Sequence, residues 1–133
     1  IAKNYDSYFK DLSWLRIPLS NQLYNRSYQS YPCLFEPEKV EEAIQQKNLN
    51  LLSEISDSRN LWMEELQNYG ISTRPATHAV HQLSYYKIKY KLKPELFIRS
   101  YAASECSISL PLFHGMKGEE QEYVINKVLD RNL

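Results

Sequence analysis

A chain of 133 residues is one domain's worth of sequence, enough for a single core that buries roughly two-thirds of the surface exposed when unfolded. Sixteen basic and sixteen acidic residues cancel, with both signs scattered along the chain, so there is no electrostatic footprint for nucleic acid or an anionic membrane surface. No apolar run approaches the ~18 residues of a membrane span and no signal-peptide pattern is visible. A cytoplasmic location is expected, with Cys33 and Cys106, far apart and outside any CxxC pattern, as buried or half-buried thiols.

In chain order, Ile1, Tyr5, Tyr8, Phe9 and Leu12 fall on one face of a helix. That helix begins mid-stride, without a cap or a start methionine, which implies that an amino-terminal part of the protein precedes it. Leu15 to Pro18 is a short apolar stretch, and Ser20 and Asn21 make a turn. Ser27 to Phe35 has strand chemistry, with Pro32 placing it at an edge or a bulge. Pro37 to Gln46 is helical, with proline in the first turn and acids at the positive helix end. Asn48 to Ser56 reads as another short helix. Asp57 or Ser58 then caps a further one, with Leu61, Trp62, Leu66 and Tyr69 as its buried stripe and Gly70 as its left-handed terminator.

Ile71 to Arg74 is a strand leading out of that glycine, and Pro75 to Lys93 is irregular and rich in His and Tyr. Pro94 starts a helix with Phe97, Tyr101 and Ala102 inward. Ser107 to Phe113 alternates as a strand, Pro111 marking an edge or a strand end, and Glu119 to Leu129 is the last helix, with Val124, Ile125, Val128 and Leu129 apolar. Short strands separated by helices give an α+β fold: one domain over 1–133, a small, mostly antiparallel three-stranded sheet with helices mainly on one face.

Few residues bear obvious chemistry. His78 and His81 have the i, i+3 spacing of a metal pair, but no further ligands stand at suitable spacing; a structural pair and a substrate-facing pair are the other readings. His114 follows an apolar strand and is expected at the surface. Arg74, at a strand end before Pro75, suits either an anion grip or an ordinary salt bridge. Tyr85, Tyr86 and Tyr90 are expected to pack. The three glycines are too scattered for a phosphate-cradling loop, and no nucleophile-elbow, P-loop or zinc-protease motif is present.

Several stretches, in order, carry a resemblance. Gly70 to His81 resembles the GIxTRPGTHAVH segment of sugar-nucleotide aminotransferases of the DegT/StrS type, the perosamine-synthetase-like proteins. Ser27 to Tyr31 is similar to that family's SYQSY strand, and Ser107 to Phe113 with Met116 and Glu119 to Gln121 is similar to its SISLPLF…MTEEEQ ending. The resemblance implies the carboxy-terminal small domain of a fold-type-I enzyme that moves an amino group, usually from glutamate, to a keto-deoxysugar nucleotide. Pyridoxal phosphate is the cofactor of the full-length family; none is expected in this chain. The Schiff-base lysine segment and the phosphate turn have no counterpart here, and Lys87, Lys89, Lys91 and Lys93 lie in no such motif, so no catalytic residue is assigned and the chain alone is expected to be inactive.

The same resemblance implies substrate-binding roles for His81, Arg74 and His78, with the missing large domain and the sugar nucleotide as partners and self-association of the uncovered piece expected. Three departures stand out: Ala76 replaces a glycine, Lys117-Gly118 replaces a threonine cap, and residues 36–56 look like a helical insertion, a surface appendage or an interaction element. A stand-alone, non-catalytic domain that binds a sugar nucleotide or a partner is the alternative reading, and an unrelated α+β interaction domain is the third.

Overall fold

The computed structural model describes residues 1–19, 23 and 26–131; the turn expected at Ser20 and Asn21 lies outside them. Its helices are α1 (Ala2–Phe9), α2 (Pro37–Gln46), α3 (Leu49–Asn68), α4 (Ser84–Tyr90), α5 (Ile98–Cys106) and α6 (Gly118–Leu129). Its strands are β1 (Leu15–Arg16), β2 (Tyr31–Phe35) and β3 (Ser107–Leu110), an antiparallel sheet in the order β1-β2-β3. The fold is α+β with a small open sheet, as the sequence predicts.

Register sets the core. Leu15 stands opposite Phe35, Cys33 opposite Ile108 and Tyr31 opposite Leu110, so six apolar side chains share one sheet face. Against that face lie Tyr5 and Phe9 of α1, Val40 and Ala43 of α2, Leu52, Ile55, Trp62 and Leu66 of α3, Ala102 of α5, and Val124, Ile125 and Val128 of α6. The segment 36–56 therefore forms α2 and the start of α3, with side chains in the core. Cys33 and Cys106 are both free and buried.

Pro32 sits in the middle strand rather than at an edge. It is tolerated because β1 reaches only Leu34 and Phe35. The Ser109 amide, opposite Pro32, points away from β2 to the Arg74 carbonyl at 2.7 Å. Pro32 and Ser109 are thus a non-hydrogen-bonded pair, and the N–H that proline lacks would have faced open space beside β1.

Several local expectations give way. Only Ala2, Tyr5 and Phe9 of α1 are buried; Ile1 and Tyr8 are exposed. The two helices expected over 48–69 are one. Asn48 caps it by accepting the Leu51 amide at 3.1 Å, whereas Ser58, one expected cap, turns its hydroxyl back to the Glu54 carbonyl at 3.0 Å. With neither Gly nor Pro between 49 and 69, nothing breaks the helix. Its buried stripe is Leu52, Ile55, Trp62 and Leu66, with Leu61 and Tyr69 exposed.

Gly70, at φ +75°, ends α3 as expected: its amide bonds Gln67 O and that of Ile71 bonds Leu66 O, both at 2.9 Å, the paired bonds of a Schellman motif. Residues 71–74 make only one bridge, Arg74 with Ser109, and are not a strand. Conversely, Pro75 to Lys93, expected to be irregular, holds a 3₁₀ turn, Val80–Gln82, and α4. Pro94 opens a 3₁₀ turn before α5, leaving Phe97 exposed and Tyr101 half-buried. Leu129 of α6 is also exposed. The missing threonine cap of α6 is partly offset, since Glu120 accepts the Lys117 amide at 2.8 Å.

Arg59 is the buried arginine or lysine among the described residues. Its Nη1 donates to the Ser107 carbonyl at 2.8 Å, and burial lowers its pKa from the usual arginine value. Arg59→Met keeps the apolar stem and leaves that buried carbonyl without its donor, so it should cost about 1–3 kcal/mol. Urea denaturation of the two proteins checks this.

Candidate functional site

A cavity of about 730 Å³ lies where the exit from α3, the end of β3 and the start of α6 converge. One wall is Gly70 to Arg74, another is Ser109 to Phe113, and the third is Met116, Glu119, Glu120, Tyr123 and Val124, with Ser30 at the rim. Each wall is fixed locally. The Schellman turn aims residues 71–74 at β3, where the Arg74 carbonyl takes the Ser109 amide. Tyr5 donates its hydroxyl to the Pro111 carbonyl at 2.9 Å, pinning the chain beyond β3 to α1. A turn at 113–116 closes with the Met116 amide on Phe113 O at 3.3 Å, and Gly115 at φ +83° supplies its left-handed position. Tyr123 of α6 donates to Tyr69 O at 3.1 Å, and Lys127 Nζ lies 4.4 Å from the Tyr69 ring centre.

Of the three sequence-picked residues, only Arg74 lines this cavity. Its main chain is held by β3, and its side chain is exposed and in no ion pair among the described residues. A guanidinium without an ion pair is chemically able to hold an anion. His81 lies on the 3₁₀ turn, only 7% exposed, with its ring 5.1 Å from that of Phe97 and its Nε2 unpaired. His78 is exposed and lines neither the cavity nor any group of three metal-ligating side chains, of which the described residues hold none. His114 is exposed.

Tyr85, Tyr86 and Tyr90 do not pack into the core: all three are exposed, and α4 has no buried residue. The cavity residues that sequence reasoning missed are Glu119, Glu120 and Tyr123. Glu120 was readable only as a helix-start acid, and Tyr123 carries no motif; the helical spacing that places it one turn beyond Glu119 was the available signal.

Burial favours the protonated form of both thiols. Desolvation pushes Cys106 up to about 12, outweighing the nearby Arg59, and pushes Cys33 well above the usual thiol range. The folded state holds these protons where the unfolded chain begins to lose them near pH 9, so stability present below pH 9 declines as pH rises towards 12. Unfolding midpoints should fall from pH 8 to pH 10, and less steeply in Cys106→Ala. Neither thiol should react with Ellman's reagent at pH 8 until denaturant is added.

No helix among the described residues is long and apolar enough to cross a membrane. The sequence profile of the DegT/DnrJ/EryC1/StrS aminotransferase family matches residues 18–129. Comparison with curated proteins gives no match. Among solved structures, Spr1654 of Streptococcus pneumoniae, described as a sugar aminotransferase, is 25% identical in its PMP form, with a TM-score of 0.71 over 94% of this chain and 27% of that one. PseC of Helicobacter pylori, an aminotransferase of pseudoaminic acid biosynthesis, is 20% identical, with a TM-score of 0.72 over 96% of this chain and 30% of its own. TlmJ of Streptoalloteichus hindustanus, an aminotransferase, is 20% identical, with a TM-score of 0.67 over 96% of this chain and 28% of its own. The chain thus spans less than a third of the length of each.

Proposed function

The chain belongs to the DegT/DnrJ/EryC1/StrS aminotransferase family, and from that premise we propose that it is the carboxy-terminal small domain of a sugar-nucleotide aminotransferase, closing the active site over its substrate. The observation that carries this reading is coverage: one sheet-and-helix unit matches the family over residues 18–129 yet spans 27% of Spr1654. The reaction proposed for the longer protein is amino transfer, with glutamate as donor and a keto-deoxysugar nucleotide as acceptor. The large domain is its partner.

Pyridoxal phosphate supplies an electron sink when bound, and we place it on the large domain because the residues here do not fit it. No lysine lines the Arg74 cavity, and Lys87, Lys89, Lys91 and Lys93 are all exposed. At the start of α6, where helix amides would receive a phosphate, stand Glu119 and Glu120, whose carboxylates repel one. Purified chain mixed with pyridoxal phosphate should show no internal-aldimine absorbance and no transaminase activity. A borohydride-trapped adduct at a single lysine would overturn that expectation.

Substrate contact is proposed for Arg74, His81 and His78. Arg74 has the strongest physical support, an exposed guanidinium on the cavity wall. His81, whose Nε2 is buried and unpaired among the described residues, and His78 follow from their place in the same segment. A hydrogen bond to a charged group is worth roughly 1.5–3 kcal/mol. In a longer protein carrying this domain, Arg74→Ala should weaken sugar-nucleotide use about tenfold or more with the melting temperature unchanged. His81→Ala should weaken it comparably and cost some stability, because the ring also packs on Phe97. Wild-type kinetics in both variants would show that the substrate is read elsewhere.

A further inference from the structure

Arg131 stands just past the last helix, and its two ends are held very differently. Its main chain has left α6: the amide reaches the Val128 carbonyl only at 3.5 Å, the outer limit of a hydrogen bond. Its guanidinium is instead taken into the body of the fold, with the side chain 12% exposed. The central carbon lies 4.4 Å from the ring centre of Trp14, 4.5 Å from that of Phe35 and 5.8 Å from that of Trp62. All three are inside the ~6 Å reach of a cation–π contact. Trp14 and Trp62 are the two tryptophans of the chain.

The rings brace one another. Trp14 meets Trp62 edge-on at 5.1 Å and Phe35 edge-on at 6.3 Å, while Phe35 and Trp62 stack at 5.7 Å and 25°. They come from the approach to β1, the end of β2 and the middle of α3, and none belongs to α6. Glu36 closes the recess: its Oε1 accepts from Arg131 Nη2 at 3.3 Å, and its Oε2 lies 3.2 Å from Nζ of the exposed Lys39. Glu36 adopts a left-handed conformation, φ +47°, uncommon for a residue with a side chain, and its amide bonds the Trp14 carbonyl at 2.7 Å. Arg131 Nη1 is buried with no partner among the described residues. The cation is therefore held by ring faces and one carboxylate rather than by a full set of hydrogen bonds.

A flat, weakly hydrated cation suits such a recess better than an ammonium, which gives up tightly held water to enter and has no face to lay on a ring. The carboxylate supplies the countercharge that a cation taken out of water needs. We propose that Trp14, Phe35, Glu36 and Trp62 form a guanidinium-binding site, which the chain fills with its own Arg131 and so latches the end of α6 to β2 and α3. The other end of α6 is held separately. Asn4 donates to Gln121 at 3.1 Å, Gln121 donates to the Ile1 carbonyl at 2.8 Å, and Tyr123 donates to Tyr69 O. Emptying the site therefore frays the last turn of α6 and leaves Glu119, Glu120 and Tyr123 on the wall of the Arg74 cavity. The site shares no lining residue with that cavity, and its chemistry is independent of the substrate.

The test empties the site and offers it a substitute. In Arg131→Ala, methylguanidinium should bind saturably by tryptophan fluorescence, with a Kd on the order of 10 mM, well below denaturing concentrations. Methylammonium should bind at least about tenfold more weakly. The wild-type chain should give no saturable response, because its site is full. Adding Glu36→Gln to Arg131→Ala should weaken methylguanidinium binding about tenfold. Amide hydrogen exchange at 128–131 should quicken at least about tenfold in Arg131→Ala, slow again with methylguanidinium, and stay unchanged at 119–123. Arg131→Lys should keep exchange at 128–131 faster than in the wild type.

Methylammonium binding as tightly as methylguanidinium, or an unchanged α6 in Arg131→Ala, overturns the proposal. So does faster exchange that methylguanidinium does not reverse, which would make Arg131 ordinary packing. Exchange at 128–131 that slows as protein concentration rises would put a second copy's arginine in the site and overturn the latch. If Arg131→Ala fails to fold, the wild-type chain still decides. Ring currents should displace its Arg131 side-chain protons upfield in the NMR spectrum, and random-coil positions for them overturn the proposal.

Discussion

Strand β3 is four residues long and buried at every position, and the rest of the molecule is arranged around satisfying it. A buried strand cannot leave its outward amides and carbonyls to water. Along β3 the polar groups alternate between β2 and the opposite side. Those facing β2 are met by the ladder; of those facing away, the Ser107 carbonyl is met by Arg59 from α3 and the Ser109 amide by the Arg74 carbonyl. Just past the strand, the Pro111 carbonyl is met by Tyr5 from α1. Three distant parts of the chain are therefore fixed by the needs of one short strand, and the cavity is the space left where two of them meet it.

This explains which features the sequence disclosed. Elements with a local cause were legible: α2 from Pro37 and its acids, the end of α3 from Gly70, and β3 from alternating Ile108 and Leu110. Elements that depend on distant partners were not. Pro32 reads as an edge residue because proline lacks a ladder donor, yet it occupies the middle strand, since β1 is too short to reach it. Ser58 reads as a cap, but caps matter only where a helix must start, and Asn48 had already started this one. Residues 71–74 read as a strand because they are extended and lead to a sheet, but only Arg74 finds a partner.

The candidate site was legible unevenly, for the same reason. Motif residues come from one continuous stretch, 70–81, and the fold divides that stretch: Gly70 to Arg74 goes to the cavity wall, while His81 is buried on the 3₁₀ turn against Phe97. Contiguity in sequence did not mean contiguity in the site. The acids and tyrosine of α6 arrive from about 45 residues further on, by helix packing alone.

Arg74 shows how one residue serves fold and site without conflict. Its main chain completes the hydrogen bonding of β3, a task indifferent to side-chain identity, so the guanidinium is left with no structural duty among the described residues. Arg59, by contrast, spends its guanidinium on the strand and is buried by doing so. A structural arginine is recognised by the partner it cannot lose; a candidate binding arginine is recognised by a backbone held rigidly and a side chain held by nothing. The same contrast separates Tyr5 and Tyr31, whose hydroxyls are committed to Pro111 and Asp6, from Tyr86 and Tyr90, whose hydroxyls make no hydrogen bond among the described residues. In a protein with eleven tyrosines, that difference in commitment, rather than their number, separates the ones that build the domain from the ones free to meet something else.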